Sequence, residues 1–198
     1  MHMHAPQISC CFSGYRPGKL PWGNDENDPR CRALKARLHD VMEAAYDEGY
    51  RHFICGMAQG CDLYFCELAL QLRGERPDMT IEAAIPCRTQ ADSWSAEERR
   101  RWRGLIGACD EQTLLQENYS PHCMQRRNRY MVDHAGLLIA VFDGQSGGTR
   151  GTVQYAMSRG LQIVDIPPVM DWPATNKEDN SHERSHEGAA RAAQHPEV

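Results

Sequence analysis

The sequence predicts an α/β fold of three layers, with helices on both faces of a mainly parallel central sheet. Short apolar runs of strand character alternate along the chain with longer stretches of helical periodicity, the order that a parallel sheet with crossover helices requires. Glycine-rich loops stand between a strand and a helix at residues 56–62 and 143–148, which is where open α/β sheets bind ligands. At 198 residues the chain is long enough for one domain with a sizeable core.

The elements follow in order. Residues 8–13 are the first predicted strand, and it ends at Gly14-Tyr15-Arg16-Pro17-Gly18-Lys19, which sets two cations in a loop at the carboxyl edge of the sheet. The stretch 20–29 has too much Pro, Gly, Asn and Asp for a regular element. It is expected to expose Trp22 near those cations, as a lid or as surface packing. From 30 to 48, Leu34, Leu38, Val41, Met42 and Ala45 mark the buried stripe of a crossover helix that Gly49 stops. Residues 51–55 give a second strand running into Gly56-Met57-Ala58-Gln59-Gly60-Cys61-Asp62. The helix that follows, residues 63–73, is expected to turn Glu67 toward solvent.

Residues 79–85 are the third strand. Ser95-Ala96-Glu97-Glu98 has helix-start character, and Glu97 with Arg101, four residues apart, suggests a salt-bridged exposed helix. A weak fourth strand at 112–116 precedes a helix at 124–133. That helix projects Arg127 and Met131 on one face, with Arg126 and Arg129 beside them. The apolar run Leu137 to Phe142 then leads through Asp143 to Gly147 and Gly148, and 149–160 has a helical pattern. Two readings of this loop stay open. One is an ordinary strand-to-helix turn. The other is a phosphate cradle, in which the glycines let backbone N–H groups approach an anion, Thr149 and Thr152 offer hydroxyls, and the helix points its positive end at the same spot. A last strand at 162–166 ends at Pro167-Pro168. The domain is therefore expected to span 1–170. The segment 171–198 is a polar tail, with 176–198 too poor in apolar residues to offset ordering entropy and expected to be disordered.

Composition narrows the function. A net charge of -5 lacks the strongly basic balance of a chain that coats nucleic acid, so nucleic acid is not expected as a partner. Nine cysteines with no CxxC spacing fit reduced thiols rather than a disulfide framework or a zinc site. No metal is expected, and His2 and His4 are read as a loose start. No run approaches membrane-spanning length, and no signal-peptide pattern is visible, so the expected location is the cytoplasm, away from membranes.

Gly14-Tyr15-Arg16, Gly56 to Asp62, Arg127-Asn128-Arg129 and Gly147-Gly148-Thr149 together resemble the SLOG superfamily of Rossmann-like domains. That superfamily includes the DNA-processing protein DprA and the LOG phosphoribohydrolases. Arg16 to Gly23, Ile85-Pro86-Cys87 with Gln90 and Trp94, and Asn128 to Asp133 bring the chain close to its YpsA/YspA-like branch, over about residues 8–166. The resemblance implies a nucleotide or ADP-ribose-type ligand and a sensor or regulator, with no certain resident cofactor. Arg16, Lys19, Arg127 and Gly147-Gly148-Thr149 would hold phosphate, Asp62 would hold a ribose hydroxyl, and Gly14, Gly56, Ala58, Gly60, Gln90, Trp94, Asn128, Asp143 and Thr152 would complete the site. A homodimer is implied too.

Two other functions follow from the same likeness. LOG enzymes cleave an N-glycosidic bond with a PGGxGTxxE loop and an upstream Arg-Lys pair. Here Ser146 stands at the proline, Gln154 falls near the glutamate and Asn128 stands at the lysine. A glutamine cannot supply negative charge to an oxocarbenium-like transition state, which leaves Asp62 or Glu67 as the candidate catalytic carboxylate of such an enzyme, with Asp143 also present. The likeness to DprA raises single-stranded DNA binding, with Arg127, Arg129 and the run 99–103 on phosphates and Trp22, Trp94 and Trp102 on bases.

Overall fold

The computed structural model describes residues 5–169, and their six strands form one sheet in which every neighbouring pair is parallel. In chain order the elements are β1 (Ser9–Ser13), α1 (Pro29–Asp47), β2 (His52–Cys55), α2 (Cys61–Glu75), β3 (Thr80–Ile85), α3 (Ala96–Ala108), β4 (Glu111–Leu114), α4 (Cys123–Asp133), β5 (Leu137–Val141), α5 (Gly148–Arg159) and β6 (Gln162–Ile166). In space the strands run β4-β3-β2-β1-β5-β6. The chain winds outward from β1 to β4, returns to the centre, and places β5 on the other side of β1. This reversal opens a crevice beyond the carboxyl ends of β1 and β5, the place where such sheets take ligands.

Alternation along the strands builds both layers. Cys10 and Phe12 face one core with Leu34, Leu38 and Met42 of α1 and Phe65 of α2, while Cys11 faces the other with Met131 of α4 and Val153 and Ala156 of α5. Because both faces are covered, β1 and β5 are buried at every position, as a central parallel strand must be. Phe12 stacks on Phe65 with ring centroids 4.6 Å apart. Local signals set the ends of the helices. Asp28 caps α1 by accepting from the Arg30 backbone N–H with Pro29 in the first turn, Ser95 and Glu98 form a reciprocal capping box at α3, and Gly160 closes α5 in the left-handed region.

Three expectations from the sequence are corrected. Arg101 does not pair with Glu97. It reaches across to α2, where Nε and Nη2 meet the two Glu67 carboxylate oxygens at 2.6 and 2.8 Å, and it also bonds Glu26. Packing of α3 on α2 offers a two-pronged partner that outcompetes a neighbour on the same helix. Glu67 is consequently engaged rather than turned to open solvent. Trp22 is only 6% exposed and joins the core, since its large apolar ring gains more from burial than from covering a loop. The expected disorder of 176–198 and the reading of His2 and His4 concern residues outside those described.

A buried polar network that no local pattern announces joins β2, β3 and α4. His52 Nε2 and Glu82 Oε2 are 3.0 Å apart, the Tyr130 hydroxyl donates to Glu82 Oε1 at 2.7 Å, and both members of the pair are almost fully buried. Burial pushes the Glu82 carboxyl up, but the bonds from His52, Thr113 and Tyr130 outweigh it and hold the group below its ordinary 4.5. A depressed carboxyl contributes stability that is present above the unfolded value and lost as pH falls through the folded one. Tyr130→Phe is therefore expected to cost about 1.5–3 kcal/mol at neutral pH, the worth of a bond to a charged group. That cost should shrink on acidification below 4.5, as read by urea denaturation across pH.

Candidate functional site

The crevice holds two adjoining cavities. One, of about 330 Å³, is lined by Gly14, Arg16 and Lys19 after β1, Ala58 and Asp62 after β2, Arg127 and Asn128 of α4, and Gly148 and Thr149 of α5. The other, of about 370 Å³, lies between α4 and α5 against Gln125, Arg129, Gly147, Gly151, Thr152 and Tyr155. They share Met124, Asn128 and Gly148. The first turn of α5, with its free backbone N–H groups and positive dipole end, thus stands between two spaces rather than at the mouth of one.

Beneath the first cavity lies a buried ion pair. Arg127 Nη1 is 3.5 Å from Asp62 Oδ2 and also donates to the Gly56 carbonyl, while the Ala58 backbone N–H donates to the same carboxylate oxygen at 3.2 Å. Burial raises the Asp62 carboxyl above its ordinary 3.8, against the pull of Arg127, and the same burial lowers the Arg127 guanidinium. Desolvation outweighs attraction for both partners, so the pair contributes little as a staple beside the cavity. Gly56 makes this seat possible, because a Cβ there would collide with the Arg127 guanidinium. The Gln90 side-chain amide holds the loop from behind, donating to the Gly56 carbonyl at 3.1 Å and the Met57 carbonyl at 2.9 Å. Met57 itself sits at φ 56, a backbone region that a non-glycine residue adopts only when its surroundings impose it.

Much of the remaining polar capacity is used in bracing the loops of the crevice. Thr149 Oγ1 donates to the Gly14 carbonyl at 3.2 Å, and Thr152 Oγ1 donates to the Gly148 carbonyl at 3.0 Å while accepting from Asn128 Nδ2 at 2.7 Å. Lys19 Nζ donates to the Ser146 carbonyl, and the Tyr15 hydroxyl donates to Asp143. Arg16 is different. Its side chain is exposed at the rim and makes no hydrogen bond or ion pair among the described residues.

Of the residues proposed from sequence, Gly14, Arg16, Lys19, Ala58, Asp62, Arg127, Asn128, Gly147, Gly148, Thr149 and Thr152 line one cavity or the other. Gly56, Gln90 and Asp143 support the loops from outside. Gly60, at φ 82, lets its loop pass close to the Tyr15 carbonyl. Trp94 packs against Trp102 by α3, and Glu67 is bound by Arg101, so neither reaches the crevice. Gln154 is exposed and lines neither cavity, whereas the next residue, Tyr155, does. The sequence reading missed Tyr155, Met124 and Gln125. The spacing Gly148, Gly151, Thr152, Tyr155 places one helix face toward α4, a signal that was present in the chain.

These features define a doubly wound α/β domain with a glycine-lined crevice at the reversal of its sheet. The chain belongs to the YspA SLOG family, whose profile matches residues 10–163. It is 30% identical over 156 residues to the uncharacterized SPbeta prophage-derived protein YoqJ of Bacillus subtilis, covering 71% of this chain and 91% of that one. A UPF0398 protein of Bacillus cereus is 24% identical over 152 residues, covering 75% and 82%. Among solved structures, DNA processing protein A from Streptococcus pneumoniae superposes with a TM-score of 0.54 at 18% identity, covering 82% of this chain and 50% of that one. Its counterpart from Helicobacter pylori, described with a single-stranded DNA binding mode, gives 0.56 at 13%, covering 84% and 68%. The chain thus spans half of the first of these proteins and about two thirds of the second, and the likeness establishes the shared fold. It also corrects the expectation that set nucleic acid aside on net charge: a neighbour of this fold binds single-stranded DNA, so overall acidity does not exclude that class of ligand. Among the described residues no helix is long and apolar enough to cross a membrane.

Proposed function

We propose that this SLOG domain binds a nucleotide-type metabolite with a group on each side of its phosphate, as in ADP-ribose, and serves as a sensor or regulator. The observation that carries the reading is the meeting of the two cavities at Gly148, with the α5 N-terminus between them and the unpaired Arg16 at the rim. A phosphate at Gly147 and Gly148 would direct one moiety toward Asp62 and the other toward Tyr155, whose ring already lies 5.4 Å from the Arg129 guanidinium. Asp62 would accept from a ribose hydroxyl. Nine free thiols suit a cytoplasmic setting.

A thermal-shift panel of AMP, ADP-ribose, NAD and a short oligothymidine tests this, since a ligand that binds the folded state raises Tm. ADP-ribose or NAD should shift Tm further than AMP at equal concentration. Equal shifts would leave the α4–α5 cavity without a role, and no shift with any nucleotide would overturn the reading. The oligothymidine arm asks whether the crevice takes DNA instead.

A second reading rests on Asp62, a buried carboxyl lining a cavity with its pKa raised, the property of a general acid or base. On this reading the protein cleaves an N-glycosidic bond. Asp62→Asn separates the two. For a sensor it should weaken binding by about tenfold, some 1.4 kcal/mol. For an enzyme, chromatography of the saturated mixture should show free base or nicotinamide released by the native protein and none by the variant.

A further inference from the structure

Eight of the nine cysteines are buried, and Cys109 alone reaches solvent in part. It is the residue that ends α3, in the short link to β4, and its Sγ lies 3.8 Å from that of Cys66 on α2. The two are 43 residues apart in sequence, so nothing local brings them together. A neighbouring ion pair does. Arg73, two helical turns beyond Cys66, binds Asp110 at 2.7 Å, and Asp110 in turn accepts from the Ile81 backbone N–H at 2.8 Å. This fixes the link against the face of α2 that carries Cys66.

We infer that Cys66 and Cys109 are a redox-modification site that a hydroperoxide converts to a reversible disulfide, with Cys109 reacting first. Access selects Cys109, and the hydrogen bond with Cys66 lowers its thiol below the ordinary value, against burial and the neighbouring Asp110 carboxylate. In the first step the Cys109 sulfur attacks the peroxide, its S–O bond forming as the O–O bond breaks, and the thiol proton leaves with the departing alkoxide or hydroxide as alcohol or water. In the second, the Cys66 sulfur attacks the sulfenic acid, the S–S bond forms, and the S–O bond breaks with the Cys66 proton completing a molecule of water. Two thiols are oxidised by two electrons and one peroxide is reduced. The sulfurs need to close from contact distance to a bond of about 2.05 Å, and the link carrying Cys109 lies outside any regular element.

The product would tie α2, the helix that begins beside Asp62, to the end of α3. The neighbouring Cys55 thiol also acts to raise that of Cys66. Its sulfur is fully buried and already bonded to the Asp62 carbonyl at 3.1 Å, so it is a poorer first target.

The test is peptide mapping of the full chain after brief treatment with hydrogen peroxide and alkylation. The expected result is one linked peptide joining Cys66 to Cys109, lighter than its two thiol parts by two hydrogen atoms and lost on adding dithiothreitol. Cys109→Ser, a change at a partly exposed position, should abolish it without another intramolecular link taking its place. In Cys66→Ala, dimedone should trap Cys109 as its sulfenic acid. A linkage of Cys55 to Cys66, a disulfide between chains, or oxidation that spares both residues would overturn the proposal, and mapping of the native chain decides this even if a variant does not fold.

Discussion

Arg127→Ala is expected to destabilise the protein by about 3–5 kcal/mol at neutral pH, because it leaves the buried Asp62 carboxylate without its countercharge. The native pair is already poorly compensated. The charges are 3.5 Å apart, and burial pushes both groups toward neutrality. Removing the guanidinium takes away the largest influence opposing that burial for Asp62, and the carboxyl then rises further above 3.8. An acid whose folded-state value is raised binds its proton more tightly when folded, so stability falls as pH rises from the unfolded value through the folded one. Acidification toward about pH 5 should therefore restore part of the loss. Urea denaturation at neutral and acid pH checks both points. A loss below about 1 kcal/mol, the range of exposed pairs, would show that Asp62 finds another partner or takes up a proton at little cost.

Gly148→Val is expected to leave the fold intact and remove binding of whichever panel nucleotide raises Tm most. A Cβ at Gly148 has nothing within 4 Å, and the residue lies outside the positive-φ set. The variant should therefore fold with a change within about 0.5 kcal/mol, as for an ordinary surface site. The open space it fills is shared by both cavities, and a branched side chain there would keep a phosphate from the first N–H groups of α5. Loss of two bonds to a charged group at roughly 1.5 kcal/mol each is on the order of a hundredfold in Kd. Calorimetry on a variant with unchanged Tm makes the measurement clean. Native affinity in that protein would place the phosphate elsewhere. Gly56→Val is a poorer probe of the site, since its side chain would evict Arg127 and confuse binding with folding.

The architecture was legible because the signals for it are local. Alternating apolar runs and helical stripes predicted the six strands and five helices with shifts of a few residues at most, and the glycine loops after β2 and β5 marked the carboxyl edge where the cavities lie. The helix start read at Ser95 belongs to the same class, since its capping box closes within one turn; the caps at Asp28 and Gly160 are equally local but were not read. Partner choice was not legible. Arg101 passes over Glu97 for Glu67 and Glu26, Arg127 goes under Gly56 to Asp62, and His52 meets Glu82 and Tyr130 within the core. Each depends on which elements lie side by side after the sheet reverses, and no spacing along the chain encodes that.

The sequence by itself determined the order of elements, the edge of the sheet at which the cavities open, and glycines and cations that line them. Tertiary structure decided that Gly148 stands between two cavities, that Thr149 and Thr152 tie the loops around it together, and that Cys66 and Cys109 touch. The physical reason is range: dihedral preference and periodic burial act over a few residues, whereas cavities and charge or thiol pairs arise where distant segments pack.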